Sequence, residues 1–295
     1  MNRRNCDTFQ KLVISLHKFW ISKGYTLIIP FDMEVGAGTS HPITYFSAIN
    51  PNPIRAVYIQ PSRRPIDGRY GKNPYRSQFY YQFQVIVKPS PIDIQDLYLE
   101  SLKSIGIKIF NNDIKFLEDN WENFSLSAVG KGWEIRLNGV EITQFTYFQK
   151  IANIDCNPVL CEITYGLERI AMHIQNTDSI QEIVWNKNNF ENIKYHEIHY
   201  NKEFEQSKYN FEFSNEKFLN YCLYNYIDEA KNLIKNNNKF LYSSYEQLLK
   251  AIHTFNLIEA KNKISQFRRK KIILELQSIS KKIAKLYFSS IKKRN

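Results

Sequence analysis

The 295-residue chain is 43% hydrophobic, 23% charged and 15% aromatic, a globular balance that excludes wholesale disorder. Its apolar runs are only a few residues long, too short for a membrane span, and the polar start Met1–Asp7 has no apolar stretch behind it, so no secretory signal is expected. The net charge of +11 is uneven: residues 1–200 hold 21 Lys/Arg against 20 Asp/Glu, and residues 261–295 hold 12 basic residues and one acid, Glu275. A neutral front is thus followed by a basic end, which suits either a solvated helical face or contact with RNA or an acidic partner.

The first element reads as a helix, with Asp7 as its cap, Gln10 three residues on, and Phe9, Leu12, Val13, Leu16 and Phe19 on one face. Gly24 marks its end. Residues 25–60 are punctuated by Pro and Gly and read as loop and short strand. Val57–Gln60 reads as a strand, followed by a loop rich in turn residues that carries Arg63, Arg64 and Arg69. Ser77–Val87 then alternates cleanly: Phe79, Tyr81, Phe83, Val85 and Val87 point one way, and Gln78, Tyr80, Gln82 and Gln84 the other. A row of Gln and Tyr is unusual for a solvent face and suggests a ligand-lined sheet. Asn138-Gly139 between two strand-like runs predicts a type I′ hairpin. Cys161–Gly166 reads as a short strand with Glu162 and Thr164 on one side, and Arg169 falls in the first turn of the helix that follows. Beyond residue 200 the pattern is helical. Phe218, Cys222, Tyr226, Ala230 and Leu233 make one stripe, Ser244 with Gln247 opens a second helix, and Ile272, Leu276, Ile279, Ile283 and Leu286 make the last stripe.

Four arginines on loops and element ends suit the oxygens of a polyphosphate, because a guanidinium presents a planar fork of donors. A carboxylate beside amides and a hydroxyl, as in Glu162 with Gln82, Gln84 and Thr164, suits an ammonium group. The combination points to a small amine-bearing acid beside a nucleoside triphosphate. Neither G-x-x-x-x-G-K-[ST] nor a strand-borne G-x-G-x-x-G is present, so such a nucleotide would lie on a sheet and be held by arginines. His196-Glu197-Ile198-His199 is one residue short of H-E-x-x-H and has no third ligand, so it reads as a surface pair. Cys6, Cys156, Cys161 and Cys222 form no C-x-x-C pair, which predicts neither disulfides nor zinc and fits a reducing cytoplasm. Lone His41 and His253 read as structural.

The strings Glu34–Pro42, Gln60–Pro65, Asp67–Gly71, Tyr80–Val85, Thr143–Gln149 and Glu162–Arg169, with Tyr209–Phe211 and His253–Leu257 further on, resemble the α subunit of the bacterial tetrameric glycyl-tRNA synthetase. The likeness runs over nearly the whole chain. It implies an α+β class II aminoacyl-tRNA synthetase: an antiparallel sheet core flanked by helices in residues 1–200, then a basic helical C-terminal domain in residues 201–295. It also implies a glycine–tRNA ligase that uses ATP and Mg2+ in the cytoplasm. Its partners would be tRNA(Gly), a second α chain and a β subunit, in an α2β2 assembly.

Carried onto this chain, the resemblance implies that Arg63 holds the α-phosphate and the glycine carboxylate, and that Arg169 holds the γ-phosphate, both facing one cavity. Arg64, Arg69 and Glu141 would complete the ATP site. Glu162 would pair with the glycine ammonium in a pocket lined by Gln82, Gln84, Trp121 and Thr164, and Glu141 and Glu162 would be the carboxylates near Mg2+. The chain departs from the family at Cys161, Val129, Arg136 and Phe267–Arg269. Two other readings are a catalytically silent synthetase-like regulator, which would have lost its arginines, and an RNA-binding module built on residues 261–295. Tyr287 and Phe288 are too few aromatics there for a stacking platform.

Overall fold

A computed structural model describes residues 6–188, 191–235 and 240–292. Met1–Asn5, in the polar start, and 293–295, in the basic end, lie outside the described residues. The chain runs α1 (Phe9–Ser22), β1 (Thr26–Leu27), α2 (Pro42–Ile49), β2 (Ile54–Arg63), β3 (Phe79–Lys88), α3 (Ile94–Ser104), β4 (Ile114–Asn123), β5 (Ala128–Leu137) and β6 (Val140–Ile151). It continues with β7 (Ile154–Asp155), β8 (Cys161–Gly166), α4 (Leu167–Gln175), β9 (Val184–Lys187), β10 (Asn192–Lys194), α5 (Tyr195–Lys208), α6 (Glu216–Lys235), α7 (Leu241–Ala260) and α8 (Gln266–Lys292). The main sheet has the order β1-β2-β3-β8-β6-β5-β4, with β7 on the end of β6. Every pairing in it is antiparallel except that of β1 with β2. This is the expected α+β architecture.

Alternation along the strands gives the sheet two apolar faces. One buries Val57, Phe83, Val85 and Ile163 against α1, α3 and α4 through Leu12, Leu16, Trp20, Tyr98 and Ile170. The other buries Tyr58, Ile86 and Phe148 against α2 and the three C-terminal helices through Tyr45, Leu223, Tyr245, Phe255 and Leu276. The helices from Glu216 onward thus share one core with the sheet, and each fully buried large aliphatic contributes about 1.5–3 kcal/mol to holding them there. The Tyr245 hydroxyl donates to the Ser40 carbonyl, which anchors α7 to the loop before α2.

Several local readings shift by a residue or more. The cap of α1 is Thr8, whose hydroxyl accepts from Lys11 N at 3.1 Å. Asp7 lies one residue too early and pairs instead with Lys11 and Lys187, which lower its pKa. The buried stripe of α6 is Leu219, Leu223, Ile227, Ala230 and Ile234, one position on from the expected Phe218, Cys222 and Tyr226; Phe218 is 56% exposed. Ala230 belongs to both stripes and the other positions differ by one 100° step, so periodicity could not choose between them. Ser244 does not open α7, which begins at Leu241; its buried hydroxyl donates to the Ala230 carbonyl and ties α7 to α6. The Asn138-Gly139 turn is as expected, with φ of 50° and 84°.

Candidate active site

Cross-strand register lays the polar residues along a track on the α2/α7 face of the sheet. On β6, Gln144 sits opposite Thr164 and Thr146 opposite Glu162. Further on, Phe148 pairs with Gly130, which pairs with Trp121. In the other direction Arg169, at the start of α4, reaches Glu141 at the start of β6. The track therefore reads Arg169–Glu141, Thr164–Gln144, Glu162–Thr146, Trp121. Above it is a cavity of about 540 Å3 lined by Thr39, Arg64, Gln82, Trp121, Glu162 and Arg169, among others.

The Glu162 end offers a free carboxylate oxygen, a group that suits an amine. Glu162 is buried, and its Oε2 accepts from the Thr39 hydroxyl at 2.6 Å. Its Oε1 is buried with no partner among the described residues, and so is the Nε2 of Gln84, whose Oε1 accepts from the Thr164 hydroxyl. Burial pushes the Glu162 carboxyl up to about 7, against which the Thr39 bond works only in part. The roof is the turn Gly38–Ser40, held by the Gly38 N–H donating to Gln82 Oε1 at 2.9 Å. A Cβ at position 38 would lie 2.2 Å from Gln84 Nε2. Gly38→Ala is accordingly expected to raise the KM for the amino acid at least tenfold while changing that for the nucleotide less than threefold, in steady-state kinetics.

The cationic end differs from expectation at two arginines, Arg63 and Arg69. Arg63 pairs with Phe79 across β2 and β3, shares its face, and lines a small recess with Phe79, His199 and Glu203, 3.7 Å from Glu34. It does not line the main cavity. Arg64, just past the strand, returns to the cavity face, where its Nε donates to the Gly36 carbonyl at 3.0 Å and its guanidinium lies over the Tyr80 ring. Arg69 is also outside the cavity: its Nη1 donates to the carbonyls of Ile66 and Gly68 in its own loop. Arg169 faces the cavity as expected, with Nη1 donating to both the carboxylate and the backbone carbonyl of Glu141. A β-bulge at Ile142 re-aims Glu141 onto the cavity face.

Against known proteins, the family model described as "Glycyl-tRNA synthetase alpha subunit" matches residues 9–292. The chain belongs to the glycyl-tRNA synthetase α-subunit family. A "Glycine--tRNA ligase alpha subunit" of Wigglesworthia glossinidia brevipalpis is 54% identical over 282 residues, 96% of this chain and 93% of that protein. Two solved structures of pyrrolysyl-tRNA synthetase from Desulfitobacterium hafniense align at 12% identity with TM-scores of 0.43 and 0.40. They cover 61% and 59% of this chain and 74% and 71% of their own.

Of the ten residues that the family resemblance singled out, Arg64, Gln82, Trp121, Glu141, Glu162, Thr164 and Arg169 line the one cavity, and Gln84 supports it from below. Tyr80, from the polar row of β3, lines it too, as do Thr39, Arg76 and Glu168, which were not anticipated. Glu168 is the most informative of these. Its carboxylate accepts from the Tyr81 N–H and the Tyr195 hydroxyl, closing the ladder where β8 ends and fixing α4, hence Arg169, to β3. Its only sequence signal was its place beside Arg169. His196 Nδ1 donates to the Gln181 carbonyl, and His199 is not a free surface ring: it packs among Phe79, Tyr81, Trp185 and Tyr195, where burial lowers its pKa to about 4. Among the described residues no group of three or more His, Cys, Asp or Glu could hold a metal ion. Cys156 and Cys161 are buried with raised pKa values, as structural thiols are, and His41 caps α2 by accepting from Ile43 N.

Proposed function

We propose that this chain activates glycine with ATP to form glycyl-adenylate and, with a β subunit, passes glycine to the 3′ end of tRNA(Gly). The supporting observation is the buried Glu162 Oε1, unpaired among the described residues, on the same track as Arg169. In this reading the glycine ammonium donates to Glu162 Oε1. A carboxylate oxygen of glycine attacks the α-phosphorus of ATP, the bond to the bridging oxygen breaks, and pyrophosphate leaves toward Arg169. Arg64 takes the role that the resemblance gave to Arg63, offering its guanidinium to the α-phosphate as charge builds in the transition state. Holding both reactants on one rigid sheet supplies much of the rate, since the encounter becomes intramolecular. Selectivity is steric: the Gly38 turn lies against Gln84 over the pocket, so a substrate side chain would overlap protein.

Glu141 and Glu162 do not fit a shared Mg2+ site. Thr146 faces Glu162, and Glu141 lies five residues further along β6, roughly 15 Å at the rise of a strand. Each carboxylate also holds its own partner, Arg169 or Thr39. No step here is routed through a metal. An α2β2 assembly in the cytoplasm is the setting that the family likeness supports, and no described helix is long and apolar enough to cross a membrane. The test is ATP–pyrophosphate exchange by the assembled α and β chains. Glycine should drive it, and alanine and serine should not; no glycine-dependent exchange would overturn the reading.

A further inference from the structure

Gln78, the residue before β3, is the hub of a buried hydrogen-bond network that adjoins Arg64. Its carbonyl accepts from the Arg64 N–H at 2.7 Å, its own N–H donates to Glu203 Oε1 at 3.0 Å, and its side-chain Oε1 accepts from Asn210 Nδ2 at 2.8 Å. Gln78, Glu203 and Asn210 are all buried. Glu203 lies on α5, and Asn210 lies in the single π-helical turn Tyr209–Phe213 that follows it, a geometry that is rare and recurs at functional sites. Asn210 belongs to the string Tyr209–Phe211, which the cavity leaves unused. Its Oδ1 is buried with no partner among the described residues. A buried amide with a bond unmet costs stability that an apolar side chain of the same shape would not, so core packing alone does not account for Asn210.

The end of α5 and the π-helical turn also grip the loop that runs from Arg64 to Gln78. Ser207 Oγ accepts from the Tyr70 N–H at 3.1 Å, and the Tyr70 hydroxyl donates to Glu212 at 2.8 Å. Gly68 approaches so closely that a Cβ there would lie 2.8 Å from Ser207 Oγ. The Ser77 hydroxyl donates to Glu203 Oε2 at 2.7 Å and closes the loop at its far end. This loop brings Tyr75 and Arg76 to the cavity wall, and Arg64 stands at its root.

We propose that Asn210 is a positioning residue for the nucleotide: it fixes Gln78, and Gln78 fixes the backbone of Arg64. The role rests on the reading above in which Arg64 serves the α-phosphate, and deepens it. Asn210 lines no part of the cavity, so it acts through Arg64. A guanidinium on a long side chain follows any shift of its backbone, and a misplacement of about 1 Å at a reacting group can cost on the order of 100-fold in rate. The glycine end is built on other elements, Glu162 and the Gly38 turn, so loosening Gln78 leaves it in place.

The test uses the assembled α and β chains. Asn210→Leu removes the bond but leaves the Gln78 amide buried and unpaired. Asn210→Leu combined with Gln78→Met replaces both partners by apolar groups of similar shape, which keeps stability nearly unchanged. In glycine-dependent ATP–pyrophosphate exchange both should lower kcat by about tenfold or more, with the KM for glycine within about twofold of the parent. Placed in an Arg64→Ala background, the paired replacement should cause no further loss, because residues acting through one group are not additive. Without substrates, trypsin should cut the loop after Arg69, Lys72 or Arg76 about fivefold faster in the paired variant than in the parent, at equal urea midpoints. Unchanged kcat in the paired variant, or the same loss in the Arg64→Ala background, would overturn the proposal. Absence of exchange in the parent assembly would instead overturn glycine activation itself. The trypsin comparison would still judge the hold on the loop, with equal cutting rates refuting it, so the two failures are distinguishable.

Discussion

Glu162→Gln is expected to cut kcat/KM for glycine in ATP–pyrophosphate exchange by a factor of at least 100 and, at pH 8, to make the protein harder to unfold. Both effects have one cause. The carboxylate is buried with Thr39 as its one hydrogen-bond partner among the described residues, and its pKa rises to about 7. A carboxyl whose folded pKa is raised holds more protons in the folded state than in the unfolded one between about pH 4.5 and 7, so folding loses stability as pH rises through that window. Above it the penalty is fully present and of order 3 kcal/mol, which an uncharged amide of the same shape avoids. The charge is what the ammonium needs, so kcat/KM for glycine should fall as pH drops below about 7, where free Glu162 takes up its proton. Urea unfolding at pH 5 and pH 8 checks the sign: the variant should gain at pH 8 and not at pH 5. A variant less stable than the parent at pH 8 would show that Glu162 has a partner the geometry lacks.

Replacing the two adjacent arginines should separate them widely. Arg64→Ala should reduce exchange at least 100-fold, mostly in kcat, because its guanidinium is the one of the pair that lines the cavity, held by Gly36 and Tyr80. Arg63→Ala should cost less than fivefold, since this side chain shares the face of Phe79 and sits near Glu34 at 3.7 Å, a loose and part-exposed pair of small worth. The reverse ranking would mean that the loop after β2 rearranges when nucleotide binds.

The sequence carried the sheet and the polar row that borders the cavity well, because alternation in Ser77–Val87 is strict and the Asn-Gly turn admits few conformations. Arg63 turns away from the main cavity for a definite reason. Two neighbouring arginines look alike in composition, and the face each takes depends on where β2 stops. The strand runs through Pro61 to Arg63 rather than ending at Gln60, and its register with Phe79 is a tertiary fact. Glu141 was named from the family likeness, but only the bulge at Ile142 explains why it shares a face with Gln144. Thr39 lies 123 residues before the carboxylate it bonds, so no local spacing could join them. The α6 stripe shows the same limit in a helix: Leu219 and Phe218 open equally periodic faces, and packing chose the aliphatic one.

The most direct measurement is a crystal structure of the assembled α and β chains with glycyl-sulfamoyl-adenosine, an unreactive mimic of glycyl-adenylate. The ligand's ammonium should lie within hydrogen-bond distance of Glu162 Oε1, with the sulfamoyl group against Arg64 and the pyrophosphate position toward Arg169. An ammonium bound elsewhere, with Glu162 still unpaired, would contradict the account.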